Sequence, residues 1–360
     1  MAAPPVSRAR TAVVAGVTVA LVAAAAITGT TASAAVNPTA AVHPTAAANP
    51  GAAARKYLGT SPSSHRWFSG GYPGGHMSGT RANSWGTWRG SPSDMTLTFP
   101  EYATWTTMAN STWHIETYGT LRGRLMYGLP LLPKNARPAQ LKDVAAGKHD
   151  ATFRKIARDL RTRNRGNAVV KLGWEANGNW MSYSATAATA PTYRAAWRRV
   201  AQVMKKESPR LVFSFEVNCG TAMAGQRNRL DSLTKLYPGN DVTQLVGCSH
   251  YDWWTTGART EAQWRASIKP ARGPGLADVA AFARARGKGL SISEWGLASR
   301  SRQGNGDNPF FIRKMKQYFD ANNDILAVEM YFNDPSGMGN SLLPEAPQNP
   351  KAAAEYRRLF

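Results

Sequence analysis

From residue 57 onward, short apolar runs alternate with longer stretches whose apolar positions recur every three or four residues. The short runs read as strands over Tyr57–Thr60, Asp94–Phe99, Arg124–Gly128, Ala168–Trp174, Leu211–Asn218, Leu245–Tyr251, Gly289–Glu294 and Ile325–Phe332. The helical spacing predicts helices over Arg81–Arg89, Tyr102–Glu116, Ala151–Arg163, Pro191–Glu207, Gln226–Leu236, Gly275–Arg286, Pro309–Asp320 and Pro350–Leu359. Strands and helices in strict alternation imply parallel β/α units, hence the α/β class. A (β/α)8 TIM barrel closes such a sheet without leaving an edge. A doubly wound open sheet is the structural alternative, but no G-x-G-x-x-G follows an early strand to support its usual ligand.

The chain ahead of this pattern has a different character. Arg8 and Arg10 precede an apolar run from Thr11 to Ile27, and Ala32-Ser33-Ala34 offers a small-residue cleavage site. This reads as a signal peptide over residues 1–34, and the run is short for a membrane span. No later segment is apolar for long enough to span, so a secreted, extracellular protein with no membrane span after cleavage is expected. Residues 35–55 are rich in Ala and Pro, with Asn37-Pro38, His43-Pro44 and Asn49-Pro50 spaced six apart. They read as a semi-extended linker, leaving residues 56–360 as one domain.

Composition changes the picture in two ways. With 43% hydrophobic residues and 12 Trp among 360, the chain can build a large core. Lys and Arg number 44 against 22 Asp and Glu, a net charge of +22. The basic residues crowd predicted outer helices, among them Arg154, Lys155, Arg158, Arg161, Arg163 and Arg165, then Arg194, Arg198, Arg199, Lys205 and Lys206. Solvated helix faces explain them; attachment to acidic wall polymers is the sharper alternative. No nucleic-acid reader motif appears, so no nucleic-acid partner is expected. The six His are scattered without H-E-x-x-H, so neither metal nor cofactor is expected.

In a (β/α)8 barrel, chemistry gathers where strands end. The fourth strand ends at Glu175, the fifth at Asn218, the sixth at His250 and Tyr251, the seventh at Glu294, and the eighth at Tyr331 and Asn333. Trp174, Trp180, Trp253, Trp254 and Trp295 lie beside them. Two carboxylates facing across a mouth lined with aromatics suit glycoside hydrolysis, which needs an acid for the leaving oxygen and a carboxylate for the oxocarbenium-like carbon. The bland alternative is core tryptophans and ion-paired glutamates.

Lys171-Leu172-Gly173-Trp174-Glu175-Ala176-Asn177-Gly178-Asn179-Trp180 resembles the strand-four signature of glycoside hydrolase family 26, the β-mannanase family. Leu290-Ser291-Ile292-Ser293-Glu294-Trp295-Gly296 resembles its nucleophile segment, and Val246-Gly247-Cys248-Ser249-His250-Tyr251-Asp252 its sixth strand. Tyr237 to Asp241 and Trp88 to Asp94 are similar to two further segments. Three positions depart from the family: Trp174 where His is usual, Lys171 where Arg is usual, and Trp295 where Phe is common.

The resemblance implies a retaining mechanism with Glu294 as nucleophile, Glu175 as acid/base and Tyr251 orienting Glu294. It implies a β-mannan-like polysaccharide substrate, with β-glucan and xylan also open. Trp174, Asn177, Trp180, Asn218, His250, Trp253, Trp254, Trp295 and Tyr331 are expected as binding or supporting residues. A monomer is expected. The competing functions are a hydrolase of the producer's own acidic envelope polysaccharide and a non-catalytic carbohydrate-binding barrel.

Two structural expectations remain. Cys219 and Cys248 sit on neighbouring strands, where export permits a disulfide. Strand parity also places Lys171 and Glu216 inside the barrel with Glu175, and buried opposite charges must pair.

Overall fold

The computed structural model describes residues 49–74 and 77–360. The expected signal peptide, most of the linker, and His43 and His76 lie outside the described residues. Eight parallel strands close in sequence order into a barrel. They are β1 Phe68–Tyr72, β2 Met95–Thr98, β3 Arg124–Leu129, β4 Val169–Leu172, β5 Val212–Asn218, β6 Leu245–Tyr251, β7 Gly289–Gly296 and β8 Leu326–Phe332. The long helices Asp150–Thr162, Ala190–Glu207, Leu276–Ala285, Pro309–Ala321 and Pro350–Leu359 fall within a residue or two of their expected bounds. The α/β barrel expected from the alternation is the fold observed.

The differences lie mostly at the start. Tyr57–Thr60 is no strand; the helix Ala52–Leu58 ends there, with Ala53, Ala54 and Leu58 buried. The folded unit therefore begins ahead of residue 56, and the end of the supposed linker belongs to it. Ala and Lys favour helix over strand, and of the short apolar run only Leu58 belongs to this helix's buried face. The first strand is Phe-Ser-Gly-Gly-Tyr, which lacks the apolar run that identifies strands elsewhere. The helix expected over Tyr102–Glu116 breaks into Trp105–Asn110 and Trp113–Glu116. Helices Leu141–Ala145 and Glu261–Ile268 were not anticipated.

The basic outer helices make several ion pairs. Arg158 and Arg161 pair with Glu207, Arg199 with Asp150, and Arg198 with Asp241. Arg165 is buried and donates to the carbonyls of Tyr118, Leu121 and Gly123. Among the described residues no helix is long and apolar enough to cross a membrane.

Two irregularities set the geometry of the mouth. Along β7, Ser291 to Glu294 spans three steps, while its partners on β6, Gly247 to Ser249, span two. The same mismatch recurs against β8, where Ile292 to Trp295 faces Glu329 to Tyr331. One extra residue in β7 forms a β-bulge. It lets Ser293 and Glu294, neighbours in sequence, both reach groups inside the barrel. The second irregularity follows β4, where Gly173 and Glu175 both adopt left-handed backbone, φ 54° and 55°. Gly173 needs to be glycine, because a Cβ there would also meet Leu131 at 2.8 Å. Glu175 holds this disfavoured conformation as a non-glycine residue, anchored by its N–H donating to the Glu216 carbonyl at 2.9 Å.

Candidate active site

Lys171 projects into the barrel and is fully buried. Its ammonium donates to Glu294 Oε2 at 2.8 Å and lies 3.4 Å from Glu216 Oε2. Glu216 also accepts from the hydroxyls of Ser214, Ser291 and Ser293 at 2.7, 2.8 and 2.6 Å. The pair expected from strand parity therefore forms, and the bulge gives it a third member, Glu294. Burial opposes the Lys171 charge, but the carboxylates of Glu294, Glu216 and Glu175 outweigh it and raise the ammonium pKa.

The two site glutamates sit in different surroundings. Glu294 is clamped: Tyr251 Oη donates to Oε1 at 2.7 Å while Lys171 holds Oε2. Glu175 receives only neutral donors, Asn218 Nδ2 to Oε1 at 2.9 Å and Trp180 Nε1 to Oε2 at 3.0 Å. Its pKa is raised, first by burial and then by the negative charge of Glu294, against the opposing pull of Lys171 and the Asn218 amide. One carboxylate is thus held beside a cation and the other is biased towards its protonated form. Such a split would let a pair of carboxylates divide nucleophile and general-acid work between them.

Asn177 acts from behind. Its Nδ2 donates to the carbonyls of Asn218 and Thr221, and its Oδ1 accepts from the Asn218 N–H at 2.8 Å. It fixes the end of β5, and so the amide that touches Glu175. Cys219, one residue on, is disulfide-bonded to Cys248 on β6, with Cα atoms 5.5 Å apart. The adjacent register Val217 to Cys248 brings the two cysteines together.

Aromatic rings form an arc around the carboxylates. Trp174 packs 5.0 Å from Phe99, Phe99 lies 6.4 Å from Tyr72, and Tyr72 stacks on Phe332 at 4.4 Å. Phe332 meets Tyr251 edge-on at 6.0 Å, and Tyr251 packs 5.0 Å from Trp253. Tyr72, Phe99 and Phe332 were missing from the sequence reading. Phe99 and Phe332 sit at strand ends within the expected strands, but Tyr72 belongs to the strand that escaped detection. Trp180 and Trp254 are the exposed members of the expected set, at 51% and 65%.

Three expected site residues face away from the mouth. His250 is buried outside the barrel, stacked 5.7 Å from Phe311. Trp295 packs against Phe319 and Phe360, and its Nε1 donates to Glu329. Tyr331 lies between Trp85 and Trp295 and donates to Asn340. Each immediately adjoins a residue that does face the mouth, and alternation sends neighbours to opposite sides. Trp174 does form part of the arc, but it is buried against Phe99 and Tyr183. Asn333 braces loops, donating to the Pro73 carbonyl and accepting from the Leu342 N–H. Among the described residues no group of three or more His, Cys, Asp or Glu is placed to hold a metal ion.

No family model matches the chain, and no curated protein matches it by sequence. Solved structures do resemble it. An endo-β-1,4-mannanase double mutant from Cellulomonas fimi superposes with a TM-score of 0.60 at 14% identity, covering 86% of this chain and 75% of that one. The catalytic domain of a GH26 endo-β-1,4-mannanase from Bacillus sp. JAMB-750 gives 0.59 at 15% identity, covering 82% and 85%. A fungal β-1,4-galactanase gives 0.50 at 12%, covering 74% and 88%. At these identities the likeness establishes a shared barrel.

Proposed function

We propose that the chain is a secreted retaining β-glycan hydrolase of the family 26 type, acting on a β-mannan-like polysaccharide. The observation that carries this is the unequal setting of the two carboxylates: Glu294 between Lys171 and Tyr251, Glu175 among neutral donors with a raised pKa. The mannanases and galactanase that share the fold support the substrate class.

In the first step, a Glu294 oxygen attacks the anomeric carbon as the glycosidic bond breaks. Glu175 gives its proton to the departing oxygen, leaving a glycosyl ester on Glu294. Glu175, now ionised, takes a proton from water, the hydroxide attacks the same carbon, and Glu294 departs as carboxylate. Lys171 and Tyr251 hold Glu294 in line throughout. Asn218 remains bonded to Glu175 in both of its protonation states. The mouth aromatics, with Trp180 and Trp254 exposed, supply flat apolar surfaces for sugar rings.

The test is turnover of β-1,4-mannan by purified protein and by Glu175→Gln and Glu294→Gln. Each variant should lose most activity while the fold persists. Azide should restore Glu294→Ala and yield a glycosyl azide of inverted configuration. Two amide variants as fast as wild type would refute the assignment.

A further inference from the structure

Between the loops that follow β6, β7 and β8 lies a cavity of about 380 Å³, lined in part by Trp253, Trp254, Arg302, Gln303 and Met338. It begins one ring away from the nucleophile, because Trp253 packs on Tyr251, whose hydroxyl donates to Glu294. That size falls within the usual range for small-molecule sites.

The cavity wall is held in place. Trp254 is 65% exposed, yet its Nε1 donates to the Gly304 carbonyl and its backbone N–H to the Gln303 carbonyl, both at 2.8 Å. Trp253 forms an isolated antiparallel bridge with Gly304. Behind them, buried Asp252 ties the two loops together by accepting from the Ala258 N–H, Asn305 Nδ2 and Asn308 Nδ2 at 3.0, 2.8 and 2.7 Å. A large exposed ring locked in one orientation is a ready stacking surface, since little freedom remains to be lost on binding.

Arg302 gives the cavity its charge. It is exposed, and unlike Arg158, Arg161, Arg198 and Arg199 on the outer helices it has no side-chain hydrogen bond or ion pair among the described residues. Asp334, on the same rim, does not neutralise it. Its carboxylate is taken by the N–H groups of Gly337 and Met338 at 2.9 and 3.1 Å. A neutral sugar laid over Trp254 would displace water from Arg302 and return no countercharge. A carboxylate would meet the guanidinium fork with two parallel bonds.

We propose that this cavity is a subsite for a carboxylate-bearing sugar, its ring stacked on Trp254 and its carboxylate paired with Arg302. The inference deepens the hydrolase reading and rests on it for the claim that the bound sugar is part of a substrate chain.

Binding is measured in the Glu175→Gln background, which prevents turnover, with and without Arg302→Gln. The probes are fragments of β-1,4-mannan and β-1,4-xylan bearing glucuronic acid, and the same fragments with that carboxyl reduced to the alcohol. On at least one backbone the acidic form should bind about tenfold more tightly than its reduced counterpart. That preference should weaken with salt and vanish in Arg302→Gln, while Arg302→Lys should retain part of it. Equal affinities on both backbones, a preference that survives Arg302→Gln, or no binding of any fragment would each overturn the subsite. Hydrolysis of the acidic fragments by the unaltered protein is scored separately. Its absence beside a clear acidic preference would sink the hydrolase reading and leave the site standing. Its presence without a preference would sink the subsite alone.

Discussion

Replacing Lys171 by Met probes the buried triad most directly. The substitution keeps the volume of the side chain and removes the single cation between Glu216 and Glu294. Both partners are less than a tenth exposed, so water cannot take over the role of the ammonium. Breaking a buried pair from one side costs about 3–5 kcal/mol. A domain of roughly 310 residues unfolds with an entropy of about 0.65 kcal/mol/K, so Tm should fall by about 5–8 °C. Glu216→Gln alone should also destabilise, but the double variant should be more stable than the two losses predict, because the loss of Lys171 then strands Glu294 but no longer Glu216. Without the ammonium, Glu294 loses one of the two groups that clamp it, so the rate of hydrolysis should fall as well. Thermal unfolding with the rate of hydrolysis reads all of these. Additive losses in the cycle, or a Tm within about 1 °C of wild type with an unchanged rate, would refute the reasoning.

Asn218→Ala removes a donor that favours ionised Glu175, so the raised pKa should rise further and the basic limb of the activity profile should extend to higher pH, with a lower maximum rate; an unmoved basic limb would count against Glu175 as the acid. His250 is buried with no hydrogen bond on either ring nitrogen among the described residues, and burial pushes its pKa down to about 3. The unfolded chain therefore binds the extra proton first, and stability should drop as pH falls from about 6.5 towards 3. His250→Leu should flatten that part of the stability curve, read by urea unfolding at several pH values. Reducing Cys219–Cys248 should cost about 3–4 kcal/mol, from a sequence separation of 29; an unfolding midpoint unchanged by reductant present during denaturation would contradict this.

Much of the barrel was legible because buried parallel strands leave continuous apolar runs between amphipathic helices. The convergence of Glu175, Glu294 and Tyr251 at the mouth was legible because all three stand at strand ends. The first strand was not, since Phe68-Ser69-Gly70-Gly71-Tyr72 draws its place from close packing: a Cβ on Gly70 would lie 1.9 Å from the Met95 carbonyl oxygen. Inside could be told from outside only where a charge fixed the phase. Lys171 and Glu216 supplied such an anchor, and their pairing followed. On β8, Tyr331 and Phe332 are both aromatic, and nothing local distinguishes the ring that faces the mouth from the one that faces the helices. Arg302 was unreadable for another reason: its isolation depends on what its neighbours do not offer, which only the packed loops reveal.

The extra residue in β7 amounts to a phase slip in the chain. Ahead of it, Ser291 and Ser293 supply the interior; after it, the interior falls to the opposite parity, with Glu294 inward and Trp295 outward. Counting in twos from the bottom of the strand would therefore send Glu294 into the helix layer and bring an indole to the centre of the barrel. Deleting Ser293 would restore unbroken counting, with Glu294 next after Ile292 and on the inward parity of Ser291. The two carboxylates would still share a room, and the loss would fall on Glu216, one hydroxyl poorer.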